Sequence, residues 1–142
     1  MSRVKAANNK AGHWHTDLTA LRFLPMLLIM AVIFALSSQP GDSIHLPDIV
    51  NIDKLCHALE YATLAATCLY GLHPARQSLA PIIIALIAVV FCTTYGVSDE
   101  IHQMFVPGRD SSAADVCADF LGALAVSLWW LKYYSPNEDK KH

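Results

Sequence analysis

Ten polar side chains of this 142-residue sequence are of types that do chemistry when they meet: Asp53, His57, Glu60, Tyr61, Asp99, Glu100, Gln103, Arg109, Asp115 and Asp119. Carboxylates beside an imidazole serve general acid–base catalysis, divalent-cation binding or proton relay. A guanidinium adds a partner for phosphate. On an α-helix, at 100° per residue, Asp53, His57, Glu60 and Tyr61 fall within an arc of about 100°. Asp115, Asp119 and Gly122 fall within about 60° on another helix. Asp99 and Gln103 are i, i+4 neighbours on a third, with Glu100 beside Asp99.

The elements that must carry these residues are apolar. The chain is 54% hydrophobic and 15% charged, whereas a soluble domain has about 25% charged residues. That excludes a disordered chain. Four cysteines in 142 residues do not make a disulfide scaffold. A net charge of -2 without a basic face argues against nucleic acid as a partner. Four segments approach the roughly 20 residues that a membrane span requires. They cover about 18–38, 55–72, 79–103 and 113–132, with polar tails over 1–17 and 135–142. The expectation is an all-α integral membrane bundle of four transmembrane helices, forming a single domain over 1–142. Arg22 and Pro25 interrupt the first span, which reads as a retained signal anchor. Pro81 opens the third at a position where a missing N–H does little harm.

Lys and Arg set the expected orientation. Arg3, Lys5, Lys10, Arg22, Arg76, Lys132, Lys140 and Lys141 share one side, and only Lys54 and Arg109 fall on the other. Both termini are therefore expected in the cytoplasm. The 39–54 and 98–110 connections then face outward. Glu60 lies about 10 Å in from Asp53, and Asp119 the same depth in from Ser112. Asp99 lies about 9 Å below the end of the third span if that helix runs to Phe105. Three helices thus bring carboxylates to one level in the outer half of the bilayer.

Several of these residues also have simpler roles. Asp53 suits a helix start. Ser112 to Asp115 reads as a capping box. Tyr61 fits an interfacial aromatic, and Lys54 a side chain that snorkels to the headgroups. Trp129, Trp130, Tyr133 and Tyr134 read as an interface belt. Cys56, Cys68, Cys92 and Cys117 show no CxxC spacing and read as packing residues. His13, His15, His45, His73 and His142 suggest nothing by position. Glu60, His57, Asp99 and Asp119 are too deep for caps and too polar for lipid. They either join helices or bind a ligand.

The same residues carry a family resemblance. Asp53-Lys54-Leu-Cys-His57-Ala-Leu-Glu60-Tyr61 resembles the DKxxHxxxY element of VanZ-like proteins. Ser98-Asp99-Glu100-Ile-His-Gln103-Met-Phe105-Val-Pro107-Gly108-Arg109 resembles their DExxQxFxPxR element. Asp115-Val-Cys-Ala-Asp119-Phe-Leu-Gly122 resembles DxxxNxxG, with Asp119 where many members carry Asn. Ser37-Ser38-Gln39-Pro40 resembles the family's SSQP-like end of the first helix. The resemblance runs from about Leu24 to Leu131. It implies a four-helix protein of the bacterial inner membrane, in a family whose namesake is associated with teicoplanin resistance. It implies no reaction.

Three functions fit these residues. A cell-envelope binding or accessory protein would hold the phosphate head of a lipid or a lipid-linked cell-wall precursor, using Arg109 and the start of the fourth span. Mg²⁺ or Ca²⁺ would offset the acids there. An intramembrane metal-dependent hydrolase would draw catalytic residues from Asp99, Glu100 and His57. Proton coupling or a structural subunit is the third, and four helices without internal repeats would need a homo-oligomer to transport.

Overall fold

The computed structural model describes residues 19–43 and 50–134. The two polar tails, the first residue of the first span and His45 lie outside the described residues. Four long helices make the chain: α1 (Leu24–Ser37), α2 (Ile52–Leu72), α3 (Pro81–Gln103) and α4 (Ala113–Tyr134). Short 3₁₀ turns occupy Gly41–Ser43 and His73–Gln77. No strand occurs among the described residues.

Three stretches are long and apolar enough to cross a membrane: Thr19–Ser37, Pro81–Gln103 and Ala113–Tyr134. α2 has 21 residues, about 31 Å at the helical rise, which is long enough to accompany them. Its polar residues make it the least apolar of the four.

The first span breaks where Arg22 and Pro25 were expected to interrupt it. A helical turn over 19–21 gives way at Arg22 and Phe23, and α1 starts afresh at Leu24 with Pro25 in its first turn. Pro25 has no N–H to continue a preceding helix and disfavours helical backbone just before it. α3 ends at Gln103, the end expected for the third span, so the continuation to Phe105 used to gauge the depth of Asp99 does not occur. The chain then tightens, with Phe105 N–H donating to the His102 carbonyl at 3.0 Å.

Polar contacts at the two ends fix the topology. The end of α1 bonds the end of α3 through Ser37 and Asp99. The starts of α2 and α4 meet through Lys54 and Asp115. At the opposite end Arg76 Nη2 donates to the Tyr134 carbonyl at 3.1 Å. Direction therefore alternates from one helix to the next. The two connections at the Ser37 end also touch, Gly41 N–H donating to the Pro107 carbonyl at 3.1 Å. Pro107 and Gly108 make a type II turn, with Gly108 at φ 71° and Arg109 N–H donating to the Val106 carbonyl.

The bundle turns apolar side chains outward and polar ones inward. Leu28, Val90, Leu121 and Leu128 are exposed on the outside, while Asp99, Glu100, Asp115 and Asp119 are buried. Lipid solvates the first set, and the second survives only by facing other helices. α2 and α4 make the most intimate pair. A Cβ on Gly122 would strike the Ala58 carbonyl, so the two backbones touch only because that side chain is absent. α1 lies at the edge of the bundle, with Ile33 and Ser37 its buried residues. Ile33 joins Tyr61, Leu64, Ala65, Cys92 and Ala123 in one core cluster. A second cluster nearer the other end gathers Cys68, Leu69, Ile84, Ala88 and Trp130.

Gly122→Leu is expected to separate α2 from α4 at a cost of at least about 1–3 kcal/mol. Leu128→Ala, on the lipid face, should stay within about 0.5 kcal/mol of wild type. Thermal midpoints of the detergent-extracted protein, followed by size-exclusion chromatography, check both.

Candidate functional site

The ten residues do converge at one end of the bundle, but in two layers. One layer is a pocket of about 260 Å³ between the end of α1, the first half of α2 and the end of α3. Asp53, His57, Glu60, Gln103 and Arg109 line it, joined by Leu36, Ser37 and Cys56. Behind this lies a buried layer of Tyr61, Asp99, Glu100, Asp115 and Asp119. Gln103 belongs to both, since it is buried and touches the pocket.

Helix periodicity accounts for the α2 contribution. Asp53, His57 and Glu60 share one face, so one helix lays an acid, an imidazole and a second acid along the pocket wall. Glu60 makes no hydrogen bond among the described residues, and it lines the pocket. Tyr61 turns instead into the core. It is fully buried, its hydroxyl lacks a partner, and its ring lies 6.3 Å from that of Tyr95. The interfacial role expected for it does not hold, because Leu64, Ala65 and Ile33 enclose it.

His57 and Asp119 form the central link. His57 Nδ1 lies 3.0 Å from Asp119 Oδ1, and Asp119 is fully buried. The other carboxylate oxygen, Oδ2, is buried without a hydrogen-bond partner. Asp119 fits because residue 96, facing it on α3, is glycine; a Cβ there would crowd Oδ2.

Asp99 is held differently. Ser37 Oγ lies 2.6 Å from both of its oxygens, and Gln103 Nε2 donates to Oδ2 at 3.0 Å. Gln103 Nε2 also reaches Ser37 Oγ at 3.2 Å. α1 is thereby fastened to α3. Tyr95 adds a second tie, its hydroxyl donating to the Met30 carbonyl at 2.8 Å.

Ser112 caps α4, its Oγ accepting from the Ala114 N–H at 3.1 Å. The expected capping box does not close through Asp115. Glu100 Oε2 on α3 takes the Ser112 N–H at 2.7 Å, and Asp115 turns to Lys54 instead. Physically the charged partner wins: an ammonium at 2.8 Å outbids one backbone N–H. Lys54 therefore does not snorkel away from the site. Its Nζ bridges Asp115 at 2.8 Å and Asp53 at 2.7 Å, and Asp53 caps no helix through its side chain.

Arg109 works at the end of α1. Its Nη2 donates to the Leu36 carbonyl at 2.8 Å and its Nε to the Gln39 carbonyl at 3.1 Å. Terminal carbonyls of α1 gain donors, and the cation sits at the negative end of the helix dipole. Nη1 makes no hydrogen bond among the described residues.

Lys54, Ser37 and Cys56 are the site residues that the sequence reading missed. Lys54 and Ser37 stand within the family-like elements, and that was the available signal. Cys56 lies one position from His57. The four cysteines are free thiols, two of them buried. At the far end Trp130 stacks on Tyr134 at 5.4 Å and Trp129 stays exposed, as a belt residue does. Arg76 lies over the Tyr134 ring.

Three helices apolar and long enough to cross a membrane, joined by the less apolar α2 around a buried carboxylate cluster, define an integral membrane protein. The sequence from 22 to 133 matches the family model VanZ/LLP1, and the chain belongs to that family. No curated protein and no solved structure matches it.

Ser37→Ala is expected to leave Asp99 with Gln103 as its remaining donor and to cost about 1–3 kcal/mol. Ser38→Ala, whose hydroxyl bonds the Phe34 carbonyl and lies 3.0 Å from His102 at a more exposed position, should cost less. Thermal denaturation of both variants in one detergent provides the comparison.

Proposed function

We propose that the chain is a cell-envelope binding protein of the bacterial inner membrane whose pocket holds the phosphate-bearing head of a lipid or lipid-linked precursor. One observation carries this reading: a pocket at one end of the bundle, lined by Arg109 and His57 as well as by Asp53 and Glu60, between helices whose outer faces are apolar. A phosphate oxygen suits Arg109 Nη1. Glu60, unpaired in the same pocket, suits an amine or hydroxyl donor on the same head group. Acyl or prenyl chains would remain among the bilayer lipids along α1 and α2. The family resemblance adds a setting among lipid-linked cell-wall precursors, including the accessory part in teicoplanin resistance for which the family's namesake is known.

The pocket faces outward if both termini are cytoplasmic. Arg22, Arg76 and Lys132 gather at the end opposite the pocket, which supports that orientation. A green fluorescent protein fused to the C-terminus should fluoresce, and alkaline phosphatase fused there should be inactive. The reverse pair of results would turn the molecule over.

A hydrolase acting on the same head group is the second reading. What favours it is the buried Asp119 behind the pocket-lining His57, a pairing that orients an imidazole for proton transfer. Release of inorganic phosphate from a phosphorylated lipid, lost in folded Asp99→Asn or His57→Gln protein, would establish it over simple binding.

Native mass spectrometry of gently extracted protein tests the binding reading. Wild type should carry a phosphorylated lipid. Arg109→Ala should lose it by about tenfold or more, the worth of one charge-assisted hydrogen bond of about 1.5–3 kcal/mol. Folded wild type that emerges without lipid would count against the pocket as a head-group site.

A further inference from the structure

We propose that His57, Glu100 and Asp115 bind a divalent transition-metal ion of the Zn²⁺ or Mn²⁺ class behind the pocket wall. The three come from α2, α3 and α4, and one ligand atom of each lies within 4.8 Å of the others. Three ligand atoms around one ion at about 2.0–2.2 Å lie roughly 3.0–3.8 Å from one another, so side-chain shifts of about 1 Å close the site.

Two further observations point to a cation there. Glu100 is only 4% exposed, yet its Oε1 is buried with no hydrogen-bond partner. Oε2 already serves the Ser112 N–H, so Oε1 is the oxygen left to ligate. A buried carboxylate oxygen without a partner is costly and calls for an occupant. The second observation is the tie from His57 Nδ1 to Asp119, which leaves Nε2 as the free nitrogen. A carboxylate behind the imidazole is what orients histidine ligands in metal sites. Asp115 meets Lys54 through Oδ1 and keeps Oδ2 for the ion.

Charge and donor chemistry agree. Asp99, Glu100, Asp115 and Asp119 are all buried, and Lys54 is the one Lys or Arg ion-paired with any of them among the described residues. One imidazole and two carboxylates suit Zn²⁺ or Mn²⁺ better than Ca²⁺, which takes only oxygen, or Mg²⁺, which holds its water. The ion site stands on its own three residues. It deepens the head-group reading because a cation behind His57 would let a phosphate approach a wall otherwise rich in acids.

The test uses the untagged full chain in lipid nanodiscs, stripped with chelator and titrated with Mn²⁺ alone. Electron paramagnetic resonance counts bound ions, and ¹⁵N-histidine labelling shows a nitrogen coupling if His57 ligates. We expect one Mn²⁺ per chain, displaced by Zn²⁺, with that coupling. Glu100→Gln and Asp115→Asn should weaken binding at least tenfold. His57→Gln should abolish the coupling. Asp119→Asn, which holds the ring rather than the ion, should weaken it about 10- to 100-fold. Folded wild type without saturable Mn²⁺ or Zn²⁺ binding, or Mn²⁺ without histidine coupling, overturns the proposal. Both readouts need wild type only, so they decide even if a variant fails to fold. Mass spectrometry of the same samples separates the two readings: Arg109→Ala should lose lipid and keep Mn²⁺. Lipid without metal defeats the ion site alone, and metal without lipid defeats the head-group pocket alone.

Discussion

An ionised carboxylate taken away from water must find a hydrogen-bond donor, a counter-charge or a proton. Four buried acids at the pocket end of this bundle each find such a partner. Asp99 is met by Ser37 and Gln103, Glu100 by the start of α4, Asp115 by Lys54 and Asp119 by His57. Each of these partners stands on a different helix or turn from its acid, except Gln103, which shares α3 with Asp99. The acids thus act as rivets between helices, where apolar side chains cannot, since lipid tails solvate leucine as well as another helix does. Glycine completes the arrangement. Gly96 makes room for Asp119, and Gly122 lets α4 approach α2 closely enough for His57 to reach that acid.

The rivets do not use up every polar atom. Glu60 keeps its whole carboxylate free, and Glu100 and Asp119 each keep one buried oxygen without a partner. A bundle selected only for cohesion would leave none of these, because each costs stability. They lie together, around His57 and the pocket, while the other end of the molecule is closed by aromatic packing of Trp130 and Tyr134. Ser127 Oγ and Arg22 Nε, away from the pocket, are also buried without a hydrogen-bond partner, so what sets the pocket end apart is that carboxylate oxygens are among its unsatisfied atoms.

Much of this was legible in the sequence, for reasons that can be named. A bilayer requires runs of about 20 apolar residues, so α1, α3 and α4 stood out, and α2 followed from its length and flanking turns. Helical periodicity put Asp53, His57 and Glu60 on one face, and that face does line the pocket. What the sequence concealed was who answers whom. Arg109 spends two nitrogens on carbonyls of Leu36 and Gln39, and backbone acceptors leave no trace in residue type. Lys54 read as a headgroup lysine because its partner Asp115 is 61 positions away. Asp115 read as a cap because the competing acid, Glu100, arrives from another helix. Tyr61 read as interfacial because its polar tip gives no hint that its hydroxyl is buried without a partner.

The least apolar helix, α2, has consequences for how the protein is made. Its His57 and Glu60 oppose entry into lipid when α2 emerges from the ribosome, and the acid that meets His57 lies on α4, synthesised some 60 residues later. α2 therefore cannot reach its final energy when it is made. It must wait, at the translocation machinery or shallow in the interface, until α4 arrives to cover its polar face. The bond between His57 and Asp119 can form only once α4 has been made. Chains truncated before α4 would lack the acid that meets His57, and α2 would carry its polar face uncovered.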